Sequence, residues 1–276
     1  MAQYYQKINT LYKRDSKNHN AIIEGDYSIP EFDYLKNCMF NAEEKIDGTN
    51  MSYHIFFNND GTIADCEIHG KTENAKIPTG LMEEMKRLFN SFVSNLSDTF
   101  MRKSVDANSG VETTTWPYKV VIYGEGYGGK IQSGGRYSKT EKFVVFDIAI
   151  QSSIDGNEVY LLRDNVEDIC KKLNLDISHC YGQMTISEAE DIVKTIAKWV
   201  YQKNGNIRRT DIPDMLWEDE VFPNCMFSNH AEDKNLVIEG FVLKSPLGLM
   251  TRLGKPIVVK VKVKDYIDIL KKSNGF

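Results

Sequence analysis

The sequence predicts an α+β fold in which antiparallel strands are flanked by helices. Three observations carry that prediction. Apolar and polar residues alternate in short runs, most regularly at Ile257-Val-Val-Lys-Val-Lys-Val-Lys264. The turn signal Asn58-Asn-Asp-Gly61 joins two further runs. Two longer segments, Leu81 to Leu96 and Ser187 to Tyr201, carry apolar residues at helical spacing. With 276 residues, 41% hydrophobic and 26% charged, the chain can bury a sizeable core and lacks a disorder-like composition. A single domain over 1–276 is expected, with 1–40 as an N-terminal extension packed on it.

In chain order, residues 1–40 mix polar and aromatic residues without a sustained period, and Ser28-Ile-Pro-Glu-Phe32 reads as a loop. Met51, Tyr53, Ile55 and Phe57 share one face of a strand, and Thr62 to His69 is its return partner. Leu81, Met85, Leu88, Phe89 and Val93 define the first amphipathic helix. Residues 102–115 are polar and read as a loop. Tyr118 to Tyr123 and Phe143 to Ile150 have the pattern of buried strands, joined by glycine-rich sequence. Val166 to Leu173 and Ser187 to Tyr201 read as helices, the second opened by Ser187-Glu-Ala-Glu190 at capping-box spacing. Residues 204–235 are mostly polar and irregular, and strand pattern returns at Leu236 to Leu243 and Ile257 to Val263.

Composition narrows the function classes. Five dispersed cysteines without a Cys-x-x-Cys point away from a disulfide framework or zinc site and toward a reducing, cytoplasmic setting. No signal-peptide core or membrane-length apolar stretch is present, so no membrane partner is expected. A net charge of −5 argues against indiscriminate nucleic-acid binding, yet Lys244 to Phe276 holds eight Lys/Arg against two Asp, a local +6. Phosphate-seeking charge therefore concentrates near the C-terminus.

Lys45-Ile-Asp-Gly-Thr-Asn50 places a lysine two residues before an Asp-Gly turn, the arrangement of a hairpin decoration or of a presented amine nucleophile. Gly124-Glu-Gly-Tyr-Gly-Gly-Lys130 satisfies two phosphate-loop patterns, but Ile131 stands where a P-loop needs Ser or Thr, and Gln132-Ser-Gly-Gly135 is a poor helix start. Glu125, flanked by glycines at the end of an apolar run, is a solvated loop residue or a ribose acceptor. In Phe143-Val-Val-Phe-Asp-Ile148, alternation puts Phe146 and Asp147 on opposite faces, so Phe146 packs in the core or stacks on a purine. Glu239 interrupts an apolar strand and must face a cation, a metal or water. Lys244, five residues on, points to the opposite face unless the strand bends. Lys260, Lys262 and Lys264 share one strand face, which suits a charged edge strand or a bound polyphosphate.

Taken in order, Lys45 to Asn50, Tyr123-Gly-Glu125, Phe143 to Asp147, Glu239 to Lys244 and Lys260-Val-Lys262 resemble motifs I, III, IIIa, IV and V of the covalent nucleotidyltransferases, which include ATP-dependent DNA and RNA ligases and mRNA capping enzymes. The resemblance runs from about Glu44 to Lys262. It is closest to the type 2, nick-sealing RNA ligases of phages and trypanosome RNA editing, because Asn50 stands where DNA ligases and capping enzymes usually carry arginine. Asp47, where that group often has histidine, and Lys71, where it has arginine, depart from the pattern and keep DNA joining as an alternative. A nucleotide-binding module without catalysis is the other alternative, and capping with GTP a third.

The resemblance implies the nucleotidyltransferase fold, that is, the ATP-grasp-like ligase adenylation domain. It also implies an enzyme that forms a lysyl-adenylate, passes AMP to a 5'-phosphate end and seals it to a 3'-hydroxyl. Lys45 is then the nucleophile, with Lys260 and Lys262 catalytic. Glu44, Asn50, Lys71, Glu125, Phe146 and Lys244 bind the nucleotide or its phosphates, and Glu239 and Asp147 the metal. ATP and Mg2+ or Mn2+ are the implied cofactors. RNA or an RNA-containing nicked duplex is the implied partner of a monomer acting in RNA repair. The residues after Lys262 are too few for a C-terminal OB-fold or helical domain, so neither is expected in this chain.

Overall fold

The strands and helices were located in a computed structural model, which describes residues 5–18, 20–106, 109–212 and 224–273. The chain runs β1 (Asn9–Thr10), β2 (Tyr12–Asp15), β3 (Ala21–Tyr27), α1 (Pro30–Tyr34), β4 (Met39–Glu44), β5 (Thr49–Phe57), β6 (Ile63–Gly70), α2 (Thr79–Phe92), α3 (Leu96–Phe100), β7 (Arg102–Val105), β8 (Glu112–Thr115) and β9 (Lys119–Gly128). It continues through α4 (Gly134–Tyr137), β10 (Glu141–Gln151), β11 (Val159–Tyr160), α5 (Arg163–Leu173), β12 (Cys180–Thr185), α6 (Ile186–Gln202), β13 (Gly240–Lys244), β14 (Val258–Lys262) and α7 (Val263–Ser273). Part of the segment read as irregular, 213–223, lies outside the described residues. No helix among the described residues is long and apolar enough to cross a membrane.

By contacts the chain forms two units, one of Tyr5 with Asp47–Ile177 and one of Gln6–Ile46 with Ser178–Phe276. The chain passes from one to the other inside the Lys45 to Asn50 motif. In the first unit the sheet order is β11-β10-β9-β5-β6, with antiparallel pairing throughout. Met51, Tyr53 and Ile55 of β5 pack with Ile122, Phe143 and the apolar faces of α2 and α5, which buries one sheet face. The other face carries Asn50, Ser52 and His54 opposite Glu125, Tyr123 and Val121.

In the second unit the sheet order is β1-β14-β13-β4-β12, antiparallel except for β1, which pairs parallel with β14. Ala42, Phe241, Leu243, Val259 and Val261 form the buried face, covered by Val193, Ile196 and Ala197 of α6 and Tyr266 of α7. Period two then dictates that Glu43, Lys244, Lys260 and Lys262 occupy the other face.

Several local expectations change. Residues 102–115, read as a loop, contain the exposed antiparallel pair β7 and β8, in which Ser104 and Thr113 hydroxyls bond at 2.7 Å; polar strand residues left no apolar period to read. Strand β9 continues past Tyr123 to Gly128, so Glu125 lies within the strand rather than at its end. The one-turn helix α4 follows the glycine-rich segment. The capping box of α6 is formed by Thr185 and Glu188, with Thr185 Oγ1 accepting from Glu188 N at 3.1 Å and Glu188 accepting from Thr185 N at 2.7 Å. With Ile186 buried, the helix starts one residue before Ser187 and its cap lies two residues before it. Lys264 belongs to α7, not to the strand, because Val263, Tyr266, Ile267 and Leu270 switch the apolar period from two to helical.

Candidate active site

The cationic face of the second unit is assembled by strand register. Gly240 pairs with Lys262, Val242 with both Lys260 and Glu43, and Lys244 with Val258. Lys45 follows β4 directly, and its backbone N–H donates to Gly240 O at 2.9 Å, fixing the residue at the end of the ladder. Gly240 has φ +149°, and a Cβ there would overlap the Val261 carbonyl oxygen, so only glycine lets β13 enter beside β14. Glu239 lies just outside the strand, where its carboxylate reaches Lys45 and Lys262. Glu239 and Lys244 therefore both serve this face despite their odd spacing.

Lys45 Nζ lies 2.6 Å from Glu239 Oε2, and Lys262 Nζ lies 3.8 Å from Glu239 Oε1. Lys244 Nζ reaches Glu43 Oε2 at 3.1 Å, and the Ser178 hydroxyl donates to the same oxygen at 2.9 Å. Lys260 is held at a lowered pKa of about 8 by burial first, then by the charges of Lys45, Lys262 and Arg14, with Glu239 opposing. Four lysines converge where two carboxylates are available. An added polyphosphate would relieve that repulsion.

Glu44 points away from this face. Its buried carboxylate accepts from Ser228 Oγ at 2.5 Å, Asn229 N at 3.0 Å and Tyr181 Oη at 3.2 Å. Burial raises its pKa and these bonds oppose the rise. The result is a fixed post one residue before Lys45.

In the first unit, Asn50 stands directly across from Glu125 in the β5–β9 ladder, both partly exposed. A Cβ on Gly48 would overlap Gly126 O and meet Glu125 Cγ at 2.8 Å, so the Asp-Gly turn exists to let the chain close onto Glu125. Asp47 Oδ2 accepts from Ser133 Oγ at 2.8 Å. Lys71 is exposed immediately after β6.

Phe146 and Asp147 do not alternate as expected. A β-bulge between Val145 and Asp147 breaks the register, and both residues meet Tyr5. The Tyr5 hydroxyl donates to Asp147 Oδ2 at 2.8 Å, and the Tyr5 and Phe146 ring centroids lie 4.9 Å apart, edge to face. Phe146 thus joins Tyr123 and Tyr160 in an aromatic group on the sheet face opposite the main core. Sequence reasoning missed Tyr5 and Arg14, whose guanidinium bonds Asp265 at 2.7 Å; each acts through a partner more than a hundred residues away, and no local motif marks either.

Among the described residues no cluster of three or more His, Cys, Asp or Glu forms a ready-made metal cage. Glu239, a single carboxylate among phosphate-seeking lysines, fits the kind of Mg2+ site that takes one or two carboxylates and completes its shell with phosphate and water.

Comparison with known proteins gives a consistent result. No curated protein matches. Among solved structures, the Naegleria gruberi RNA ligase with PPi superposes with a TM-score of 0.52 at 15% identity, over 96% of this chain and 62% of that one. A lysine-to-alanine variant of that enzyme with ATP and Mn gives 0.51 at 14% identity, over 97% and 64%. The likeness is one of fold, and this chain spans about three fifths of the length of those proteins. The RNA ligase family model matches residues 39–262, through every motif from Lys45 to Lys262, and the chain belongs to the RNA ligase family.

Proposed function

We propose that the protein is an ATP-dependent RNA ligase of the type 2, nick-sealing kind, working through a lysyl-adenylate in RNA repair. The observation that carries this reading is the convergence of Lys45, Lys260 and Lys262 around Glu239 on one sheet face. Matched ligase structures bearing ATP, AMP or pyrophosphate support the nucleotide assignment.

Lys45 Nζ attacks the α-phosphorus of ATP as a neutral amine. A P–N bond forms, the α–β P–O bond breaks, pyrophosphate leaves and the amine proton departs. The 2.6 Å contact with Glu239 engages the amine in the resting protein, so the carboxylate must exchange partners before attack. A bound divalent ion would supply that competing partner and neutralise phosphate oxygens. Lys260 and Lys262 stabilise charge on the phosphoryl group in the transition state. Glu44, held by Ser228, Asn229 and Tyr181, anchors the strand end that carries Lys45.

By motif position we assign Glu125 to the ribose, Phe146 to adenine, Lys244 to the nucleotide phosphates, and Asn50 and Lys71 to phosphate in the later steps. Asp147 belongs to the metal or its water shell. The AMP then passes to a 5'-phosphate, and a 3'-hydroxyl displaces it to close the strand. Both units would together make up one adenylation domain, acting as a monomer.

The test is transfer of label from the α-phosphate of ATP to the protein, with Mg2+ present, followed by sealing of nicked duplexes carrying RNA or DNA at the 3'-hydroxyl. Label on wild type and none on Lys45→Ala is expected, with RNA ends sealed better. Preferential sealing of DNA ends would favour the reading that Asp47 and Lys71 keep open. Absence of any adduct would leave a nucleotide-binding module.

A further inference from the structure

A groove of about 1030 Å³ opens in the unit of Gln6–Ile46 and Ser178–Phe276. Its walls include Ile8, Ile29 and Pro256, and its rim carries Lys7, Arg252 and Lys255 against the single carboxylate of Glu31. None of these three cations forms an ion pair among the described residues, in a chain whose net charge is −5. Tyr34 also lines the groove and is 80% exposed, the setting of a stacking platform rather than of a core residue. Val258, the first residue of β14, reaches the groove, two positions before Lys260 on the same strand.

We propose that this groove holds a single strand of the nucleic-acid substrate, with its sugar-phosphate backbone on Lys7, Arg252 and Lys255 and a base against Tyr34. The inference rests on the ligase reading and adds to it a path along which the strand is held beyond the reacting end. Unpaired cations over an apolar floor suit a polyanion whose bases also need an apolar contact. A protein partner would have to bring carboxylates to all three cations. A strand brings a phosphate at every nucleotide.

The experiment measures anisotropy of fluorescent 5'-phosphorylated RNA and DNA oligonucleotides on the full chain across a salt series. For the triple variant Lys7→Glu, Arg252→Glu, Lys255→Glu, affinity for the oligonucleotide is expected to fall at least about tenfold, and the slope of log affinity against log salt to flatten by about 2. Tyr34→Ala is expected to weaken binding about tenfold with the slope unchanged. Label transfer from ATP to Lys45 should stay at the wild-type level in both, which also reports that the variants fold. Wild-type affinity and slope in the triple variant would overturn the groove, as would a dimer that these substitutions dissociate without altering oligonucleotide binding. Loss of the covalent adduct in wild type, by contrast, would remove the ligase reading while the binding assay still judged the groove.

Discussion

Lys45 and Glu239 are joined by a 2.6 Å ion pair although 194 residues separate them in sequence. A carboxylate this close engages the amine and restrains it from an incoming phosphate. Replacing Glu239 by alanine removes that restraint, but it also removes the carboxylate suited to the divalent ion. The second effect is expected to dominate: adenylylation by Glu239→Ala should fall about a hundredfold, with more Mg2+ or Mn2+ needed for half-maximal label transfer. A variant faster than wild type at ordinary metal concentration would show that Glu239 only restrains Lys45.

The strand lysines divide by position. Lys260 and Lys262 lie on the face with Lys45, whereas Lys264 sits exposed in the first turn of α7. Alanine at 260 or 262 should lower adenylylation by two orders of magnitude or more, and alanine at 264 by less than about twofold. Comparable losses at all three would favour a general solubility role.

Lys260 also makes a stability prediction. Its pKa is lowered to about 8 while the unfolded side chain keeps the ordinary value, so the unfolded state binds more protons between those values. The group therefore opposes folding when protonated, and stability should rise as pH increases through about 8 to 10. Lys260→Met should stabilise the free protein by roughly 1 kcal/mol at neutral pH, after allowance for the solvent that screens a partly exposed lysine. Thermal melts of the variant and wild type at pH 7 and pH 10 check both the sign and its disappearance.

How much of this was legible follows from where each signal resides. The runs at Met51 to Phe57, Leu81 to Leu96 and Ile257 to Lys262 keep one period long enough to be read, and the structure places strands or helices there. Strand β4 escaped because Asn41 and Glu43 alternate with only Phe40 and Ala42, and α7 because Val263 completes the strand period before starting the helical one. The motif residues were legible as chemistry in order along the chain. Their pairing was not: the bulge after Val145, the close approach of Gly240 to the Val261 carbonyl and the docking of Tyr5 are tertiary events.

Tyr5 and Phe146 carry a prediction about nucleotide affinity. If the Phe146 ring stacks on the purine, Phe146→Ala should raise the ATP concentration for half-maximal adenylylation about tenfold or more, since stacking contributes about 1 to 3 kcal/mol. Tyr5→Phe keeps the 4.9 Å ring contact but deletes the hydrogen bond to Asp147, and should leave ATP affinity near wild type while altering the metal requirement. An unchanged ATP response in Phe146→Ala would return that ring to a packing role.

His54 predicts an acid sensitivity separate from catalysis. Its ring is buried, bonds Ser52 at 3.1 Å and sits 4.6 Å from the His69 ring. Burial first, then the charges of His69 and Lys119, lower its pKa to about 3, against about 6.5 in an unfolded chain. Between those values the unfolded state holds a proton that the native state refuses. Stability must therefore fall as pH drops below about 6.5, by at most about 1.4 kcal/mol per pH unit for this group. Urea denaturation at pH 7.0, 6.0 and 5.0 should show that slope, and His54→Asn should flatten it even if its stability at pH 7.0 is lower. An identical slope in the variant would show that His54 is not its source, and Glu44, whose pKa is raised by burial, would give the opposite sign and could not account for it.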